Sequence, residues 1–171
     1  MKKTPLLILF IIMVNNNLSA QNDVISAFLL KWENSKNYLL EMAEAMPEAN
    51  YNFAPTERQM TFKEQLLHIK GNMVSLSENY FITDDFKKSE KINSTTKSEI
   101  INELTLAFDK VSEIIKKTKL EDLDTEVNFF AGPKSKLQIL NLLQDHVTHH
   151  RGQLIVYLNL NEIKPPKYTG W

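Results

Sequence analysis

Between Asn22 and Met46 the residues Ile25, Phe28, Trp32, Leu39, Met42 and Met46 recur at three- and four-residue steps, with Ser35 continuing the row. That spacing puts them on one face of a helix turning about 100° per residue. Pro47 and Pro55 then break the pattern within "MPEANYNFAPTERQM". Thr61 followed by Glu64 is a capping-box signature. It predicts a second helix running to about Ile82, with an apolar stripe of Phe62, Leu66, Ile69, Met73, Leu76 and Tyr80. The polar stretch "DDFKKSEKINSTTK" reads as a loop. A third helix follows from about Thr96 to Thr118, its face carried by Ile101, Leu104, Phe108, Val111 and Ile115. "LEDLDTEVNFFAGPK" is the longest connection, closed by Gly132-Pro133, and Ser135 caps a fourth helix that reaches about Leu160. Pro165 and Pro166 prevent any continuation. Four amphipathic segments of about 20 to 25 residues, each roughly 30 to 37 Å long, predict an all-α, up-and-down four-helix bundle with its site between facing helices.

The first twenty residues differ from the rest. A basic "MKK", an apolar run from Leu6 to Val14 and a polar "NNNLSA" follow the layout of a secretory signal peptide, with cleavage expected after Ala20. The apolar run is nine residues long, well short of the roughly 20 that a spanning helix needs. The expected organisation is therefore a signal peptide at 1–20 and a bundle domain at 21–171, exported to the periplasm or beyond and without a stable membrane anchor after cleavage. Loss of Lys2 and Lys3 with the peptide takes the net charge from −1 to −3. No basic cluster remains, so nucleic acid is disfavoured as a partner. The chain has no cysteine, which removes disulfides, thiol nucleophiles, Cys-based metal sites and amino-terminal lipidation.

The candidate chemistry lies in "DHVTHHRGQ", which holds three of the four histidines. On a helix His146 and His150 lie about 40° apart, in the same sector as Ile139, Leu143, Leu154 and Tyr157, while His149 sits at the border of that sector. Two imidazoles at i and i+4 can share a metal ion, although such a pair taken alone is more often two ordinary hydrogen-bonded histidines. The Glu of an HExxH motif is absent. The remaining histidine, His68, lies beside the apolar stripe of the second helix, on the same side as Asn72, Ser75 and Asn79. If that polar wall faces the fourth helix, His68, His146 and His150 can converge as three nitrogen ligands, leaving a position open.

The segment "YNFAPTERQMTFKEQLLHI", followed some eighty residues later by "HVTHHRGQL", resembles the DinB/YfiT-like superfamily of metal-dependent enzymes, over essentially the whole chain after the leader. The resemblance implies an up-and-down four-helix bundle, often a homodimer, with a divalent ion held by His68, His146 and His150. His149 falls at the variable position of the HxxxHRGQ pattern. Gly152 is expected to permit close approach of a neighbouring helix, and Gln153 to orient a ligand's second nitrogen or to be purely structural. Asp145 and Glu64 are the acids nearest the proposed ligands in sequence, each expected on a solvated helix face, with a base or a ligand's hydrogen-bond acceptor as the alternative. Trp32, Tyr51 and Phe53 are expected in the core or a lid.

Three neutral imidazoles leave an ion's full charge available to polarise a bound water or a thiol. The resemblance implies thiol-dependent transferases and isomerases using thiols such as mycothiol and bacillithiol. Those cofactors belong to the cytoplasm, so the export signal makes a hydrolase a competitor. The substrate is expected to be a small molecule, and no catalytic acid or base is assigned. Nitrogen ligands suit Zn and Ni first, then Cu and Fe. The alternatives are a non-catalytic exported metal- or ligand-binding module, and a structural bundle with buried histidines.

Overall fold

The structure, a computed structural model, describes the backbone of residues 4–82 and 96–170, and side chains over 24–82 and 96–170. Four helices dominate: α1 (Thr4–Ala45), α2 (Phe62–Tyr80), α3 (Lys97–Lys117) and α4 (Lys136–Leu160). Each of the last three begins where the sequence supplies a reciprocal cap. Thr61 with Glu64, Thr96 with Glu99 and Ser135 with Gln138 all form complete capping boxes, satisfying amide groups that the first turn leaves without partners. α1 extends back through the predicted leader to Thr4 rather than starting near Asn22. Most of the predicted loop after α2 lies outside the described residues. None of the described helices is long and apolar enough to cross a membrane.

The predicted stripes form the core. Trp32, Leu39, Met42, Met46, Phe62, Leu66, Ile69, Met73, Leu104, Phe108, Val111 and Ile115 are all buried. The Trp32 ring stacks on Phe28 and leans on Phe108, and its indole N–H donates to the Phe108 carbonyl at 3.1 Å. Tyr51 is buried and donates to the Ala43 carbonyl at 2.8 Å. Phe53 packs edge-on against Tyr157. All three of these aromatic residues therefore serve the core.

Side-chain pairs fix the helix directions. Trp32 meets Phe108 and Lys97 meets Glu44, so α1 and α3 are antiparallel. Lys70 pairs with Glu103 and Glu78 with Lys110, so α2 and α3 run in the same direction. Ser35 meets Gln144 and Tyr38 meets Arg151, making α1 and α4 parallel. Gln65 meets Gln153 while His68 meets His146, so α2 and α4 are antiparallel. The bundle thus runs up, down, down, up, which refines the expected up-and-down order. A short turn cannot join parallel neighbours, and the long link between α2 and α3 accordingly connects opposite ends of the bundle.

The connection before α4 carries structure too small for its periodicity to register. A 3-10 turn at Leu120–Asp124 leads into an antiparallel pair of two-residue strands, β1 (Glu126–Val127) and β2 (Lys134–Ser135). Gly132 has φ 89°, a left-handed conformation that explains the glycine in this turn. The Lys136 amide then donates to the Thr125 carbonyl at 3.0 Å, tying the first residue of α4 to the hairpin. After α4 the tail returns along α1, where Asn34 donates to the Thr169 carbonyl at 2.9 Å and Tyr168 meets Tyr38 edge-on.

Candidate metal centre

α4 presents two chemically different faces. Arg151 points towards α1, where its guanidinium lies 4.9 Å from the centre of the Tyr38 ring and 3.3 Å from Ser35 Oγ. His146 and His150 point towards α2, as their angular positions predict. There they meet His68, and one ring nitrogen from each of the three lies within 4.8 Å of the others. The closest approach is His146 Nε2 to His68 Nε2, at 3.1 Å. The group grades from buried His150 (6% exposed) through half-buried His146 to exposed His68, so one side opens to solvent. His149 is exposed, with its ring centre 4.9 Å from that of His150.

A hydrogen-bond network lies behind His150. Its Nδ1 is 2.6 Å from Gln65 Oε1, and Gln65 Nε2 faces both Gln153 Oε1 at 2.6 Å and the Tyr157 hydroxyl at 3.4 Å. Tyr157 donates to the Met60 carbonyl at 2.6 Å, and the Gln153 amide nitrogen reaches His149 Nε2 at 2.9 Å. The sequence leaves Gln153 either orienting a ligand or purely structural, and a hydrogen bond from its side chain does act on His150; Gln65 is the partner the sequence does not point to. The available signal was position: Gln65 precedes His68 by three residues and so shares its side of α2.

The electrostatics keep the inner rings neutral. His150 is pushed down to about 4, first by desolvation and then by the nearby His68 and His149 rings, with Gln153 acting in the opposite sense. His146 is likewise pushed down to about 4, again mainly by desolvation, with repulsion from His150, His68 and His149 adding to it. A neutral imidazole is the form that ligates metal.

The donor set fits a cation. Three ring nitrogens face one another, and no Asp or Glu belongs to the group. Converging lone pairs repel unless a proton or a cation lies between them. His146 Nδ1 is also buried with no hydrogen-bond partner, as is Asn72 Oδ1 one turn beyond His68. The nearest acids in sequence lie elsewhere. Glu64 is engaged by the Thr61 cap, whose hydrogen bonds hold its carboxyl below the usual range, and Asp145 is exposed. Gly152 does not serve a close helix approach: a Cβ placed there would meet nothing within 4 Å.

The sequence matches the model of the DinB family over residues 13–170. The chain belongs to the DinB family. Among its relatives is the uncharacterized protein YjoA of Bacillus subtilis, 26% identical over 141 residues, which span 80% of this chain and 88% of that protein. The fold agrees with two crystal structures. The DinB-like YjoA protein superposes with a TM-score of 0.69 at 20% identity, covering 83% of this chain and 96% of that one. A DinB-like protein from Bacillus cereus gives 0.69 at 19% identity, covering 84% and 97%. A family member with a three-histidine group able to hold a metal ion is thus established.

Proposed function

We propose that this chain is an exported, divalent-metal-dependent enzyme of transferase or hydrolase type, with His68, His146 and His150 as its metal ligands and zinc or nickel as its ion. The observation that carries the reading is the convergence of three imidazole nitrogens within 4.8 Å at a partly open face. When bound there, an ion held by neutral ligands alone keeps its full charge and acts as a Lewis acid towards a carbonyl, water or thiol. The chain's own residues supply the remainder: α2 and α4 hold the rings in place, Gln65 supports His150 from behind, and His68 is exposed to solvent.

One observation favours a second reading. The histidine group includes no carboxylate and therefore no evident general base, which suits an exported metal- or ligand-binding module without turnover. Metal analysis and cobalt substitution separate the possibilities. Purified wild type should carry about one ion per chain and His146→Ala almost none, and equal contents would sink the site. A cobalt spectrum that changes on addition of a small thiol or anion supports an open catalytic position, whereas an unresponsive one supports the module. The export part rests on the leader's composition. It predicts Gln21 as the mature amino terminus; Met1 on cytosolic protein would contradict it and favour the thiol-dependent transferase.

A further inference from the structure

The network behind His150 contains one group whose hydrogen-bonding role cannot be reversed. The Met60 carbonyl only accepts, so the Tyr157 hydroxyl, 2.6 Å away, must spend its single proton there. Towards its other neighbour, Gln65, Tyr157 then only accepts. The end of the Gln65 amide that faces it at 3.4 Å must therefore be the NH2 group. The second contact of that end agrees, since Gln153 Oε1 at 2.6 Å is also an acceptor. Gln65 Oε1 is thereby turned towards His150 Nδ1 at 2.6 Å, and an oxygen at that distance requires an N–H. A reversed amide would set its oxygen against a hydroxyl whose proton is already committed. Gln65 is only 1% exposed, so water offers it no alternative partner.

We infer that Gln65 is a positioning residue that holds His150 as the Nδ1–H tautomer, leaving Nε2 as the metal-binding nitrogen. This inference rests on the metal-centre reading above. It assigns α2 two tasks three residues apart: His68 contributes a ligand, and Gln65 sets the tautomer and ring angle of a ligand on the opposite helix. Hydrogen-bonded partners behind metal-bound histidines commonly contribute about 10- to 100-fold in metal affinity.

Two measurements on the full chain test it. In metal-free protein with 15N-labelled histidine, long-range 1H–15N correlation should show His150 protonated at Nδ1, and protonation at Nε2 would overturn the inference. Zinc titration against a chromophoric chelator should show Gln65→Leu weakened about 10- to 100-fold. Gln65→Glu keeps the acceptor for Nδ1–H but loses the donor to Tyr157 and Gln153, so it should bind zinc more tightly than Gln65→Leu though below wild type, a partial rescue that a merely structural role would not give. Folded Gln65→Leu with wild-type zinc affinity would overturn the proposal. If Gln65→Leu does not fold, Tyr157→Phe, which removes the anchoring hydroxyl and keeps the ring, should mix the His150 tautomers; an unmixed Nε2–H form in wild type remains the contradicting result. If wild type takes up no zinc, the metal-centre reading fails, and the tautomer is still decided by the spectra of wild type and Gln65→Leu.

Discussion

Kept free of metal by a chelator, the protein should lose stability as pH falls from about 6.5 to 4, because its two inner histidines resist protonation. His146 and His150 titrate at about 4 in the folded chain, against an ordinary value of 6.5. Between those values the unfolded chain binds protons that the folded chain refuses, so acidification favours unfolding. Above 6.5 both rings are neutral in both states and their contribution is flat, and below about 4 it flattens again. A full shift at either ring corresponds to a ceiling of about 3 kcal/mol. Two features of the site lower that figure. His146 is half-buried, so water screens its charge, and repulsion between the rings acts only once a neighbour is protonated. A combined loss of about 1–3 kcal/mol is expected. Urea unfolding from pH 7.5 to 4, in wild type and in His146→Gln/His150→Gln, measures it, since carboxylate titrations common to both proteins cancel in the difference. The stability of wild type relative to the variant should fall by that amount on acidification. A difference that is independent of pH, or that grows in favour of wild type, would refute the reasoning.

Other substitutions probe the frame that carries the site. Gly152→Ala, at an exposed helical position with open space around the new Cβ, should stabilise by up to about 1 kcal/mol in thermal or urea melts; destabilisation would mean that something packs there. Gly132→Ala should cost about 1 kcal/mol or more, because φ 89° disfavours an L side chain, and an unchanged melt would contradict the turn geometry. Thr61→Ala removes the α2 cap, in which Thr61 Oγ1 accepts from the Glu64 amide at 3.2 Å. It should lower stability by about 1 kcal/mol while leaving metal affinity near wild type, because the cap lies outside the histidine group.

The helices were legible because their signals are local. The stripes built on Phe28, Trp32, Leu39, Leu66, Ile69, Leu104 and Phe108 follow the helical period, and the caps at Thr61 and Ser135 are short-range motifs. The inward aspect of His146 and His150 and the outward one of His149 followed from the same geometry. What depends on the other side of a contact was not legible. Helix direction is set by which ends a long link joins, and the polar stretch after α2 gave no sign that α2 and α3 run parallel. The β1–β2 hairpin is too short for alternation to reveal. Gln65 was not legible because a polar residue beside an apolar stripe shows its role only with His150, Tyr157 and Gln153 around it. Gly152 misled because a helical glycine can reflect close packing or open space, and the sequence does not distinguish them.

The central claim is that three histidines from two antiparallel helices hold one divalent ion, and anomalous diffraction from crystals of metal-replete protein tests it most directly. The account predicts a single strong anomalous peak, at a zinc or nickel edge, about 2.0–2.2 Å from one ring nitrogen each of His68, His146 and His150. Metal-replete crystals with no peak among those rings, or with the ion held by other residues, would contradict it.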